Sequence, residues 1–437
     1  MKIYRLIGIS LLLVCLGASL SDYAIENDST MLKVGTALSF LTAFVFLFWW
    51  IILSNRERTK FPAIFRLIFW GFIFVSLMAI VRSVRPEMKA LTDILFIGTN
   101  GLALISPFWI FVGGSVPAAG HVIRLLPKIY LMGIVLVIYF YITRSADDFS
   151  TEFVNRNFLF PVGFMMLLWR VIPRYLLGMT TVGLVAFIFN AASMGKRYLL
   201  GVALAFILVF IFSVIFNRGS LKFGKRRVLA AFLVIGMSSF STLLLSQYDE
   251  YGDGAVSTAI NKVAEKGLNN SRDGLVEEFL DDLSPEETIL GRGVLGAYTS
   301  KIVLTAEERG GRGATSLRRN IEIGYLQIIL KGGLLLLTLF LVVSLQAFGR
   351  IIGKRSNSLV FAAGCVVGIK LMEMFIFGLP SCNGDYALFW ICVGICKNPA
   401  IGRMTDDQIT RLLKMNNSWA ASSPFKYPLV PLKKGKV

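Results

Sequence analysis

Residues 316–337 read SLRRNIEIGYLQIILKGGLLLL. The stretch opens on Arg318 and Arg319 and ends as sequence apolar enough for lipid, with Glu322 standing where the chain leaves water. A helix that crosses the hydrocarbon of a bilayer needs about 20 apolar residues. Ile321 to about Leu345 supplies such a run, and comparable runs recur along the whole chain. The 437 residues are 55% hydrophobic and only 16% charged, where soluble domains carry about 25% charged residues. The fold class is therefore all-α, a polytopic membrane protein.

Hydropathy gives about twelve spans. The first nine run over Ile3–Leu20, Val34–Leu53, Ala63–Val81, Leu91–Val112, Leu125–Ile142, Phe158–Val171, Tyr175–Ala192, Tyr198–Phe216 and Val228–Leu245. They make up a first region, 1–246. A polar segment, 247–320, interrupts the pattern. Three further spans fill 321–396: Ile321–Leu345, Leu359–Leu379 and a short one, Tyr386–Cys396. A basic tail, 397–437, is too polar to span and reads as a mobile cytosolic extension. The N-terminus has a basic start and an apolar core, as a signal peptide does. It reads better as an uncleaved first helix, because so many spans follow it. No repeat and no inverted repeat is evident.

The formal net charge is +18. Its lysines and arginines crowd into alternate short connections, which is the signature of cytoplasmic loops and argues against nucleic acid as a partner. NRERTK, NRGSLKFGKRR, GRIIGKRSNS and the tail fall inside, together with Lys2 and Arg5. Both termini are then cytosolic, and 247–320 is a large outer loop. The connection holding Arg82, Arg85 and Lys89 runs against this rule. The cysteines Cys15, Cys365, Cys382, Cys392 and Cys396 form no metal pattern with His121, the single histidine, and read as packing residues.

The outer loop holds the unexplained cations. Val276, Phe279, Leu280 and Leu283 recur at helical spacing, with Ser271 as N-cap and Arg272 in the first turn, where a cation opposes the helix dipole. Gly291, Gly293 and Gly296 flank Arg292 in LGRGVLGAYTSK and allow a sharp turn or a close backbone approach; a flexible return loop is the plainer alternative. Arg309, Arg312, Arg318 and Arg319 follow just before the next span. Arginine presents a planar fork to phosphate oxygens, so these residues suit either an anionic ligand or general contact with lipid headgroups. Lys196 and Arg197, in NAASMGKRYLLG, stand at the tight turn before the eighth span. There a helix N-terminus adds its dipole to their charge, although simple snorkelling to the interface explains them too.

Together these stretches resemble the O-antigen polymerase and O-antigen ligase family of bacterial inner-membrane glycosyltransferases. MGKRYLLG matches the family's basic motif at a mid-chain helix. SRDGLVEEFL and then LGRGVLGAY match its early loop motif and the glycine stretch that follows. EIGYLQIILKGG stands where the family runs a polar motif, commonly HNxYL, into a helix. Glu322 occupies the place of the ligase histidine, which favours a polymerase over a ligase.

The resemblance implies a donor glycan on a polyprenyl diphosphate and an acceptor hydroxyl on another lipid-linked repeat unit. It calls for no metal and no cofactor. It also implies membrane lipids, a chain-length regulator and a flippase as partners. Arg272 and Arg197 would stabilise charge growing on the departing diphosphate, helped by Lys196, Arg292, Arg318 and Arg319. Glu322 would orient or deprotonate the acceptor hydroxyl, or serve only as a helix-start acid. Continuous helical spacing puts Tyr325 on the face of Glu322, with Arg318 and Arg319 one turn earlier. A transporter of lipid-linked sugars is the reading from another class, and it needs broken helices with polar groups at mid-membrane. Lys370 and Glu373, at i and i+3 inside a span, are expected to pair with one another. Asp93 and Lys331 lie nearer helix ends, within reach of water.

Overall fold

The structure is a computed structural model that describes residues 2–27, 30–55, 61–84, 87–142, 155–193, 271–299, 317–321, 323–352, 357–376 and 381–414. The described chain is overwhelmingly helical. Its long helices are α1 (Lys2–Asn27), α2 (Thr30–Leu53) and α3 (Ala63–Val81). A fourth apolar region is broken into α4 (Met88–Phe96), α5 (Gly101–Ile105), a 3₁₀ turn (Ser106–Trp109) and α6 (Ile110–Gly113). Then come α7 (Val116–Ile142), a π turn (Asn155–Leu159), α8 (Val162–Leu167) and α9 (Arg174–Ser193). The polar segment contributes α10 (Ser271–Asp282) and α11 (Pro285–Leu290). The last elements are α12 (Gly324–Phe348), a 3₁₀ turn (Gly349–Ile352), α13 (Ser358–Ile376), α14 (Gly384–Lys397), α15 (Pro399–Arg403) and α16 (Asp406–Lys414). A two-residue antiparallel ladder joins β1 (Tyr298–Thr299) to β2 (Leu317–Arg318), with Tyr298 opposite Arg318.

Among the described residues, six helices are long and apolar enough to cross a membrane: α1, α2, α3, α7, α12 and α13. The protein is membrane-embedded. Its large exposed side chains, such as Leu41, Trp49, Leu67 and Phe74, suit a lipid solvent, in which apolar surface needs no cover. The expected eighth and ninth spans lie outside the described residues. The expected fourth span is not one helix. Its continuity fails at residues 97–100, and its second half turns back into the bundle as short pieces.

At the centre stands α14. Its residues Tyr386 to Cys396 are all buried, as a helix apolar on every side requires. At 14 residues it is about 21 Å long, too short to cross about 30 Å of hydrocarbon. It works as a core pillar. Its tightest contact is with α6: a Cβ on Gly394 would stand 2.1 Å from the Ile110 carbonyl oxygen, and one on Gly113 2.0 Å from that of Ile391. The two backbones touch because neither glycine has a side chain, the usual device for close helix crossing in membranes.

The bundle has two distinct ends. Lys397 lies over the Phe65 ring, 4.9 Å from its centroid, and Gln346 accepts from Lys397 Nζ at 3.3 Å. Tyr4 and His121 are ring neighbours at 6.1 Å. Lys397 and Gln346 thus stand by the start of α3. The other end of α3, about 28 Å away along the axis, meets the polar segment, where Ala79 and Ser83 bond Val294 and Leu295. The first part of the tail is not loose. Ile409 and Leu413 of α16 are buried, Leu412 packs on Gly120, and Asp406 accepts from the backbone N–H and the hydroxyl of Ser358 at 2.8 and 2.7 Å. An apolar stripe on nine residues is too short for a hydropathy window to register, which is why 397–437 reads as uniformly polar.

Gly394→Val is expected to cost more than about 4 kcal/mol, the exceptional class for one substitution, and to remove monodisperse protein from size-exclusion profiles in detergent. Gly163→Ala, with nothing within 4 Å of its added Cβ, serves as the control. A Gly394→Val protein that unfolds at the wild-type temperature would disprove the close crossing.

Candidate functional site

The site grows from a break in α12. Gly333 sits at φ 69°, ψ −173°, splitting the helix after Lys331-Gly332. A β-carbon disfavours positive φ, and the KGG sequence supplies the residue that tolerates it. The break frees carbonyls of the first half-helix, which cannot stay bare in a membrane interior. Two backbone donors of the polar segment satisfy them: Arg292 N–H donates to the Leu330 carbonyl at 2.7 Å and Gly293 N–H to that of Lys331 at 3.1 Å. Gly291 and Gly293 also have positive φ, 69° and 85°. A Cβ on Gly291 would fall 2.5 Å from Gly332 N, and one on Gly333 2.0 Å from the Ile289 oxygen. The expected close backbone approach is thus real, and its target is the broken helix.

The Arg292 side chain locks this docking. Nη1 donates to Asp282 Oδ2 at 2.5 Å and to the Ala297 carbonyl at 2.7 Å. Nη2 donates to the Asp282 carbonyl and, at 3.0 Å, to Glu287 Oε2. Its hydrogen bonds hold α10, α11 and the β1 approach together, a framework role. Glu287 completes a reciprocal cap with Ser284 at the start of α11. The hydrogen bond from Arg292 and that from the Ser284 backbone hold its carboxyl down at about 2. Arg82, the cation that offended the charge rule, donates to the Leu290 carbonyl at 3.0 Å. Beneath the segment, Phe279, Tyr298, Ile321, Ile329 and Leu330 form a small second core.

A polar path runs beside the break. Arg319 pairs with Asp93 at 2.5 Å. Asn320 accepts from Thr99 Oγ1 at 3.3 Å and from Gln327 Nε2 at 3.2 Å, while Gln327 Oε1 accepts from Ile321 N–H at 2.8 Å. Asn100 donates to the Asp93 carbonyl at 2.9 Å and accepts from Lys331 Nζ at 3.1 Å. Lys331 is only 3% exposed, which corrects the expectation that it reaches water. It lines a narrow cleft with Thr99, Gln327, Phe72, Leu336 and Tyr386. The sequence signal for this path was present but faint: Thr99-Asn100 inside an apolar run, and Gln327 and Lys331 one turn apart in another.

The remaining candidates divide. Arg318 and Arg319 come before α12, not on it. Residues 317–318 form β2 and α12 begins only at Gly324, so no continuous helical face joins them to Tyr325. The Tyr325 hydroxyl donates to the Leu371 carbonyl at 2.6 Å and its ring meets Phe375, which turns it toward α13. Arg272 stands in the first turn of α10. Glu322, Lys196 and Arg197 lie outside the described residues. The pair Lys370–Glu373 forms as expected, at 2.7 Å. Asp385, at the start of α14, joins it from a separate helix, a partner the sequence did not suggest.

No family model, no curated protein and no solved structure matches this chain.

The Glu287 carboxylate makes the docking of the polar segment acid-sensitive. Its ordinary value is 4.5 and its folded value about 2, so its contribution is complete above 4.5 and fades as pH falls toward 2. Thermal unfolding of Glu287→Gln in detergent is expected to lie below wild type by a constant margin above pH 4.5, and the two curves converge as pH approaches 2. A margin unchanged at pH 2.5 would contradict this.

Proposed function

We propose that this protein polymerises polyprenyl-diphosphate-linked oligosaccharide repeat units into surface polysaccharide, O-antigen or capsule, on the outer face of a bacterial inner membrane. One observation supports this reading above the others. Three of the stretches that resemble the O-antigen polymerase and ligase family, although dispersed in sequence, pack as one unit: α10 from SRDGLVEEFL, the docked turn of LGRGVLGAY, and the broken α12 after EIGYLQ. The cations Arg318 and Arg319 sit at the edge of that unit.

In this reading the polar segment is periplasmic and both termini are cytosolic, with the expected twelfth span, α14, returning the chain to the cytosolic end as a core helix shorter than the hydrocarbon. The charge pattern supports that orientation, since Lys397, over the Phe65 ring, and Arg350, beside Gly402, fall at the bundle end opposite the polar segment. The acceptor hydroxyl oxygen attacks the anomeric carbon of the donor. The bond from that carbon to the diphosphate oxygen breaks and the diphosphate leaves with the electron pair. The hydroxyl proton passes to Glu322, or to solvent if Glu322 only orients the acceptor. Arg272 and Arg197, with Lys196, Arg318 and Arg319, meet the charge developing on the departing oxygen. Arg292 acts one step removed, by fixing the segment that carries α10.

A transporter of lipid-linked sugars is the second reading, favoured by the interruptions in α4–α6 and α12 that such proteins use at their sites. Against it, the carbonyls freed in α12 already accept from the chain's own Arg292 and Gly293. The ligase reading still lacks a histidine at the place of Glu322.

A strain lacking the protein is expected to carry only single repeat units on its surface lipid, sized by gel. Undiminished long chains there would end the polymerase reading. Arg272→Ala and Arg197→Ala are expected to reduce polymer by about 100-fold or more, the cost of losing one preorganised charge-stabilising group, at normal expression. Full activity of Glu322→Gln would remove that carboxylate from the chemistry.

A further inference from the structure

We propose that Lys331 is an oxyanion-binding residue, receiving one phosphoryl oxygen of a phosphate or diphosphate group in the cleft beside the α12 break. The inference rests on the polymerase reading for its ligand class only. The site itself follows from burial and charge.

Lys331 lies about 10 Å along α12 from Gly324, inside a helix that can cross a membrane. A buried ammonium in such a place is ordinarily held by an acid. Lys370 shows the ordinary arrangement, with Glu373 and Asp385 both on its nitrogen. Lys331 has no carboxylate partner among the described residues. Its one hydrogen bond goes to a neutral amide, Asn100 Oδ1. An ammonium carries three donors, so two remain, and the side chain lines the cleft.

The cleft beside Lys331 has room for about one water-sized group. A single oxygen fits that space; a whole phosphate does not. The rest of the anion would lie toward the mouth. Thr99 and Gln327 line the cleft and bond Asn320, the neighbour of Arg319, so the path from Lys331 leads to the exposed arginine. Between 317 and 331 stand three cations, Arg318, Arg319 and Lys331, against one acid, Glu322, which lies outside the described residues; counting Asp93, which pairs with Arg319, the balance is still one positive charge. That excess favours an anion and draws it inward. The apolar wall, Phe72, Leu336 and Phe340, lowers the local dielectric and strengthens the contact.

The ligand can arrive on a lipid or from solution, and the two sources separate experimentally. Binding of inorganic pyrophosphate and of farnesyl diphosphate to the purified full chain in detergent is to be followed by thermal shift and calorimetry. Saturable binding is expected for at least one. Tighter binding of farnesyl diphosphate identifies a lipid-borne anion, and equal affinity identifies a soluble one. Lys331→Met is expected to weaken binding by about ten-fold or more, the loss of one charge-assisted hydrogen bond, and Lys331→Arg to retain most of it. In wild-type protein labelled with ¹⁵N-lysine, one side-chain amine is expected to dephase against ³¹P of bound pyrophosphate. That signal is lost in Lys331→Arg, so the assignment does not depend on the Met variant folding. No binding of either probe, a Met variant within about two-fold of wild type, or no dephasing would overturn the proposal. Because binding is read without turnover, polymer made by a protein that fails this test would reject Lys331 alone. Binding through Lys331 in a protein that makes no polymer would reject the polymerase reading alone.

Discussion

Two backbone hydrogen bonds, Arg292 N–H to Leu330 and Gly293 N–H to Lys331, determine the layout of one whole end of the molecule. A helix broken within apolar surroundings must find donors for its freed carbonyls. Water is not at hand, so the donors come from another piece of chain, brought close enough that neither backbone can carry a Cβ at the contact. Gly291, Gly293 and Gly333 are a consequence of that demand. Once the polar segment is seated there, its acids Asp282 and Glu287 have a fixed place, and Arg292 can bind both. Ser83 and Arg82 then have backbone groups of the segment to bond. The same break lets the first half of α12 end beside Asn100, which is why Lys331 meets the α4–α5 connection.

Much of the helical framework was legible because hydropathy is a local property. The runs over Val34–Leu53, Ala63–Val81 and Leu359–Leu379 each fall on a long apolar helix found within a few residues of the expected limits. The glycines of LGRGVLG were legible for a related reason: closely spaced glycines in a polar segment state a backbone requirement without naming its partner. What escaped was everything set by pairing at a distance. Asp93 and Arg319 are 226 residues apart, and neither looks unusual alone. Asp385 reads as an ordinary first-turn acid until α13 brings Lys370 to it. The Leu91–Val112 run was misjudged as one span because Thr99-Asn100 barely lowers its mean hydropathy, while the backbone turns there to let Cys382 N–H reach the Gly98 carbonyl at 2.7 Å.

The two buried lysines separate architecture from chemistry. Lys370 ties α13 to α14 through Glu373 and Asp385, and removing the lysine would leave two carboxylates without their cation, the costly case for buried ion pairs. The Lys370 ammonium is matched from within the chain. Lys331 is more deeply buried, yet among the described residues its partner is an amide, which can neither neutralise it nor occupy its remaining donors. Both lysines bear on one core, since Asp385 and Tyr386 are adjacent in α14 and Tyr386 lines the cleft of Lys331. The bundle therefore supplies acids to a lysine where it needs a bond between helices. Around Lys331 the described residues place no carboxylate on the ammonium, and Arg319 stands beside Asn320, which bonds two residues lining the cleft. In a low-dielectric interior that asymmetry favours a ligand that brings negative charge.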